Sequence, residues 1–384
     1  AKMAFGNRIG VRLDDQLASR YENRDDLFRQ SYGSILVEID QADLGVLEGA
    51  NYVLVGQTID KPVIDVFGQE VGLDKLYAES EKTLEPIFPT KASKLVNDKI
   101  ENISYKLDAK PAKSSLSIVK PRVFLPAFPG TNCEYDSARA FERAGAETHI
   151  GVFRNMTYAD IEASIDMMVE EINKSQIIMI PGGFSAGDEP DGSAKFIATV
   201  FRNPRIEEAV MNLIKNRDGL MIGICNGFQA LIKLGLVPYG EIKTPSADMP
   251  TLTYNNIGRH QAKIVQTRVA SNKSPWLVGT EVGDIHSIAI SHGEGKFVAS
   301  DEVMKTLIEN GQIATQYVDF DGNATYDIDF NPNGSYWAVE GITSADGRIL
   351  GKMGHSERRG DYVIKNIIGE KDQKLFESGV KYFK

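Results

Sequence analysis

Cys225 ends an apolar run, Gly219-Leu-Met-Ile-Gly-Ile, and a glycine follows it two residues later. From there Phe228, Leu231, Ile232 and Leu234 recur at helical spacing. That pattern predicts a buried strand turning sharply into a helix, with the cysteine left at the corner. Gly223 and Gly227 flank it because so tight a corner crowds any side chain beside a nucleophile. The helix N-terminus behind the sulfur supplies unpaired N–H groups and the positive end of a dipole, and both favour a thiolate. A cysteine nucleophile needs a base within hydrogen-bond reach, and the base needs a third group to hold its ring. His355 and Glu357 meet that need. In an extended segment residues two apart face the same way, so Glu357 can reach one imidazole nitrogen while the other addresses Cys225. The turn Pro181-Gly-Gly-Phe184 offers backbone N–H groups where an anionic oxygen can develop.

Other residues compete for these roles. His292 is followed two residues later by Glu294 and repeats the spacing of the proposed dyad. His355 is preferred because its segment follows a strand–turn run, Asp346-Gly-Arg-Ile-Leu-Gly351. Cys133 sits at a predicted helix start, which also favours a thiolate, but no strand-to-helix elbow surrounds it. It is expected to support its loop. His149 and His260 are read as structural. No Cys/His spacing of the zinc type occurs, so no metal is expected.

The elements that must position this chemistry fall into three stretches. From Arg122 onward short apolar strands alternate with helices, the signature of a parallel sheet covered on both faces. Strands are predicted at 122–128, 147–153, 176–180 and 219–225, with helices at 133–145, 158–173, 196–201 and 206–215. Ligands gather beyond the carboxyl ends of such strands, where Pro181–Asp188 and Cys225 can meet. Residues 240–345 read differently. Short strands at 262–269, 285–291, 313–318 and 337–342 alternate with turn signals such as Asp321-Gly322 and Asn333-Gly334. The first 90 residues read as a small α+β segment, with strands at 34–39 and 50–59, a helical turn at 44–47, and a helix from Gly72 towards Pro89. Lysines, serines and Pro111 mark 91–120 as a connector.

Composition narrows the class. With 384 residues, 42% hydrophobic and 25% charged, the chain is ordinary for a globular protein of two or three domains. A formal charge of -10 argues against a nucleic-acid partner. Two cysteines far apart give no disulfide framework and fit a reducing, cytoplasmic setting. No apolar run has the length of a membrane span. Ala1 has no methionine before it, so the chain is expected to begin inside a longer polypeptide.

Gly-Ile-Cys225-Asn-Gly-Phe-Gln229, Pro181-Gly-Gly-Phe-Ser-Ala-Gly-Asp188 and His355-Ser-Glu357 together resemble a class I glutamine amidotransferase. The finer wording is similar to the branch of that family serving purine biosynthesis. It lies in Phe128-Pro-Gly-Thr-Asn-Cys133, Asp188-Glu-Pro-Asp-Gly192, Ile290-Ser-His-Gly-Glu-Gly295 and Gly347–Arg358. The resemblance spans 121–384 and implies a flavodoxin-like open parallel sheet. It also implies glutamine hydrolysis through a γ-glutamyl thioester on Cys225, with His355 as base and acid and Glu357 as its partner. N–H groups of Gly183 or Phe184 and of Asn226 would hold the oxyanion, and Gly182 and Gln229 would contact substrate.

Asp26-Leu-Phe-Arg29, Gly33–Glu38 and Gly49–Gly56 are similar to the end of that branch's ATP-dependent synthetase. The resemblance therefore implies a synthetase partner, in the same or another chain. That partner uses ATP and Mg to convert formylglycinamide ribonucleotide to formylglycinamidine ribonucleotide, and no cofactor is expected in this chain. Two readings stay open beside it: a non-catalytic docking domain of the same fold, and another class I amidotransferase.

Overall fold

In the computed structural model the chain divides into two units, Ala1–Thr90 and Lys91–Lys384. The structure describes residues 1–19, 24–92, 99–108, 113–185 and 193–384. The Asp188–Gly192 motif and the tail of the Pro181–Asp188 loop therefore lie outside the described residues.

The first unit is built on a four-stranded sheet of order β2-β1-β3-β4. Its strands are β1 (Gly10–Leu13), β2 (Gly56–Ile59), β3 (Val63–Val66) and β4 (Gln69–Gly72). The helix Leu73–Lys82 follows directly. Two predicted strands differ here. Residues 34–39 form no strand, and of 50–59 only the last four residues pair. Ile35, Leu36 and Val37 are exposed, as are Tyr52, Val53 and Leu54. β-branched runs favour a pleated surface, but they become strands only where a neighbour offers a ladder and a buried face. The helical turn at 44–47 is present as part of a longer 3-10 segment, Gln41–Leu47.

The second unit is organised by one nine-stranded sheet of order β11-β10-β13-β14-β15-β8-β7-β5-β6. Its parallel half comprises β5 (Arg122–Ala127), β6 (Glu147–Val152), β7 (Ile177–Ile180), β8 (Leu220–Ile224) and β15 (Ile349–Lys352). β7 and β8 are buried at every position, as parallel strands with helices on both faces must be. The remaining strands pair antiparallel: β10 (Gln261–Val269), β11 (Ile285–His292), β13 (Ile313–Val318) and β14 (Val339–Thr343). β9 (Thr251–Tyr254) and β12 (Glu294–Val298) form a separate antiparallel pair. The stretch 240–345, distinct in sequence, thus extends the same sheet with four antiparallel strands and adds one small two-stranded sheet beside it.

Two features place the site. β7, β8 and β15 are adjacent and parallel, so the loops leaving their carboxyl ends converge. The helix Asn226–Leu234, which follows β8, is buried along nearly its whole length. The described part of 99–120 is laid along this unit: Tyr105 N–H donates to Ala270 O at 2.8 Å and Ile118 N–H to Phe383 O at 2.7 Å.

Candidate active site

Cys225 sits between β8 and the helix Asn226–Leu234 with φ 54° and ψ -107°. A non-glycine residue there carries strain of about 1–3 kcal/mol, which the surrounding packing must hold. Gly227 and Gly223 provide that packing. A Cβ on Gly227 would lie 2.0 Å from Ile180 O, and one on Gly223 would lie 2.5 Å from Gly227 O. The Cys225 N–H donates to Lys352 O at 2.8 Å, tying the corner to β15. Its thiol is directed at Ser291 O, 3.6 Å away.

His355 arrives from the loop after β15. Its Nδ1 meets Glu357 Oε1 at 2.5 Å, and both side chains are buried. Nε2 is buried too and has no partner among the described residues. Gly182 stands between base and nucleophile. A Cβ on it would lie 2.8 Å from His355 Cε1 and 3.5 Å from Cys225 Cβ, so only glycine lets the two approach. Burial alone would push the imidazole's pKa down. The Glu357 carboxylate, and next the Cys225 sulfur, override that and hold His355 well above its ordinary value. Burial pushes Glu357 upward, but the imidazolium more than offsets it, so its carboxyl lies below the usual range.

The expected oxyanion donors divide. Phe184 N–H is already donated to Gly130 O at 2.8 Å and is not a free donor. Gly183 N–H and Asn226 N–H have no acceptor among the described residues. Gly183 has φ 147°, and a Cβ there would meet Gly130 O at 2.6 Å. Gln229, expected to contact substrate, spends its amide inside the wall. Its Oε1 accepts from Asn226 Nδ2 at 2.9 Å and its Nε2 donates to Glu294 O at 2.5 Å. Asn226 Oδ1 in turn accepts from Ser185 N–H. These bonds brace the loop after β7 against the elbow helix.

His292 does not form a second dyad. Glu294 accepts from Ser193 N–H instead, and both nitrogens of the buried His292 ring lack partners among the described residues. Burial, helped by the nearby His355 and His260, pushes its pKa down to about 3 and keeps it neutral. Cys133, expected only to support its loop, lies in the site. Its sulfur is 3.9 Å from His355 Nδ1 and accepts from Arg358 Nη2 at 3.2 Å. Its place follows from Gly182, whose Cβ would fall 3.2 Å from that sulfur. Cys133, His355 and Glu357 present ligand-type atoms within 4.8 Å of one another. The 2.5 Å between Nδ1 and Oε1 is a hydrogen bond, since two donors sharing one zinc stand about 3 Å apart or more.

The comparisons with known proteins bear on this geometry. Residues 120–383 match the CobB/CobQ-like glutamine amidotransferase domain. The phosphoribosylformylglycinamidine synthase subunit PurQ of Methanococcus maripaludis strain C5 is 34% identical over 279 residues, 69% of this chain and 96% of that protein. The chain belongs to the PurQ family of glutamine amidotransferases. The PurQ subunit of Dehalococcoides mccartyi is 35% identical over 239 residues, covering 62% of this chain and 86% of its own. A solved structure described as PurLQS from Thermotoga maritima matches with a TM-score of 0.50 and 28% identity. That match covers 69% of this amidotransferase and 100% of the other chain. The mixed sheet is thus the amidotransferase fold. Among the described residues no helix is long and apolar enough to cross a membrane.

Proposed function

We propose that this amidotransferase releases ammonia from glutamine for the ATP-dependent conversion of formylglycinamide ribonucleotide to formylglycinamidine ribonucleotide, with Cys225, His355 and Glu357 as the reacting set. The observation that carries this is His355: one ring nitrogen bonded to Glu357, the other open, beside a cysteine held on a strained elbow. Cys225 sulfur attacks the side-chain amide carbon of glutamine, and the carbonyl oxygen becomes an oxyanion facing Gly183 N–H and Asn226 N–H. Loss of one such donor typically costs about 3 kcal/mol of barrier. His355, holding the thiol proton, passes it to the departing nitrogen as the C–N bond breaks, leaving a γ-glutamyl thioester and ammonia. Water, deprotonated by His355, then cleaves the thioester to glutamate and restores the thiol. Glu357 keeps the ring oriented and stabilises its charged form. Gly182 lines the space between base and nucleophile.

The partner in this reading is a synthetase, which holds ATP and Mg and consumes the ammonia. Residues 1–90 are read as the end of its ATP-domain-like region, on the sequence motifs at Asp26–Arg29 and Gly49–Gly56. Free thiols at both cysteines suit a cytoplasmic enzyme. The test is glutamate release from glutamine, together with labelling by a chloroketone analogue of glutamine mapped by mass spectrometry. Label on Cys225, blocked by glutamine and accompanied by glutamate release, is expected. A protein that neither releases glutamate nor takes the label, with or without the synthetase, would be a docking domain instead.

A further inference from the structure

Lys352 and Glu340 are buried almost completely and face each other at 3.2 Å between Nζ and Oε1. Taking both charges out of water costs several kcal/mol per ion, so such a pair is weak evidence for stability and is best attested as a device that fixes register. What this pair fixes is the turn that carries His355. The Lys352 ammonium also donates to Gly354 O at 2.8 Å and to Ser356 Oγ at 3.0 Å. Two of its N–H bonds thus go to the residues flanking His355, while Glu340 supplies the opposing charge. Glu340 Oε1 accepts from Gly354 N–H at 2.6 Å, and its other oxygen accepts from the Thr315 hydroxyl. The Ser356 hydroxyl donates to Gln373 Oε1 at 2.5 Å, and Gln373 Nε2 donates in turn to Thr267 Oγ1 at 3.1 Å. A Cβ on Gly354 would lie 2.7 Å from Ile288 Cγ2, 2.9 Å from Glu340 Oε1 and 3.0 Å from Lys352 Nζ, so any larger residue would push the ion pair out of place.

The other end of Lys352 reaches the nucleophile, since its carbonyl oxygen accepts the Cys225 N–H at 2.8 Å. One residue is thus bonded to both reacting corners. We propose that Lys352 is the positioning residue that sets the separation of Cys225 and His355, its backbone holding the elbow and its ammonium holding the histidine turn. The role rests on the reading of Cys225 and His355 as the reacting pair, and it makes Glu340 and Ser356 its working contacts.

The test is steady-state glutaminase kinetics on the full chain. The double variant Lys352→Met with Glu340→Gln removes both charges, spares the carbonyl bond to Cys225 and leaves an amide oxygen for Gly354 N–H. The expected result is a kcat lower by about 100-fold, the cost of roughly 1 Å of misplacement, with KM within two-fold of the parent. Ser356→Ala removes one of the ammonium's two hydrogen-bond acceptors without stranding a charge and is expected to lower kcat about five-fold, again sparing KM. Glu171→Gln, which weakens the Arg122 pair at 2.6 Å far from the loop, controls for stability. It should lower the melting temperature and leave kcat alone. The proposal is overturned if the parent releases glutamate and both test variants match its kcat within two-fold. If the double variant does not fold, Ser356→Ala decides by the same criterion. A parent that releases no glutamate, alone or with the synthetase, would instead overturn the catalytic reading and this role with it.

Discussion

The two corners of the site are held by different physics. The nucleophile corner is a matter of shape: β8, the elbow and its helix meet through glycines, and Cys225 is kept at a positive φ by that close packing and by its N–H bond to Lys352 O. The histidine corner is a matter of charge. Its turn hangs from a buried lysine and carboxylate, and its ring from a second carboxylate. Shape fails when an atom is added against backbone, whereas charge fails with a changed sign or a lost partner. The two corners should therefore fail in different ways.

The largest effect belongs to shape. Gly227→Ala forces a methyl to 2.0 Å from a backbone oxygen that cannot move aside, and we expect a loss of about 3 kcal/mol or more. Thermal melts and soluble yield would report it, and a variant melting within a degree or two of the parent would contradict the packing described. Cys225→Ala separates chemistry from that packing. Alanine keeps the Cβ and therefore the strained corner, so the fold should hold while glutamate release falls by roughly 10⁴-fold or more.

Glu357→Gln tests the charge side, and a drop of about 10²–10³-fold in kcat is expected. The sign of its pH effect is fixed. His355 is held above its ordinary value near 6.5, so its acid form survives until pH rises through that raised value. Removing the carboxylate's charge lowers the folded value, and the alkaline limb of kcat should move to lower pH. The same raised value means that the imidazolium adds stability at pH below its ordinary range, which is lost as pH climbs through the folded one. An alkaline limb that stays in place would show that Glu357 does not govern the ring. The smallest effect is reserved for Cys133→Ser. The sulfur touches the ring edge and accepts one bond from Arg358, and a change of about five-fold in kcat matches a contact worth about 1 kcal/mol.

The shape corner was the more legible in sequence. A fully buried parallel strand is a continuous apolar run, and Gln176–Ile180 and Gly219–Cys225 show it plainly, ending in the glycines that a sharp corner demands. His355 and Glu357 were legible through their spacing. The antiparallel half was visible strand by strand but not in its attachment, because alternation marks a half-buried face without naming the neighbour. In the first unit the runs at 34–39 and 50–55 misled, as apolar composition alone pairs with nothing. Cys133 escaped because its partners His355 and Arg358 lie far away in sequence, and the lysine network because spacing alone does not say that the strands carrying Glu340 and Lys352 are neighbours. One signal was present: Lys352 and Glu340 are charged residues set inside otherwise apolar strands, where a charge without a partner would be costly.

The glycines around Cys225 have a consequence for how this scaffold can change over generations. A position that rejects even a methyl group offers selection nothing to adjust, so drift at the elbow is close to forbidden. Whatever variation in rate or timing such enzymes acquire has to be written into the opposite wall, where side chains still have alternatives.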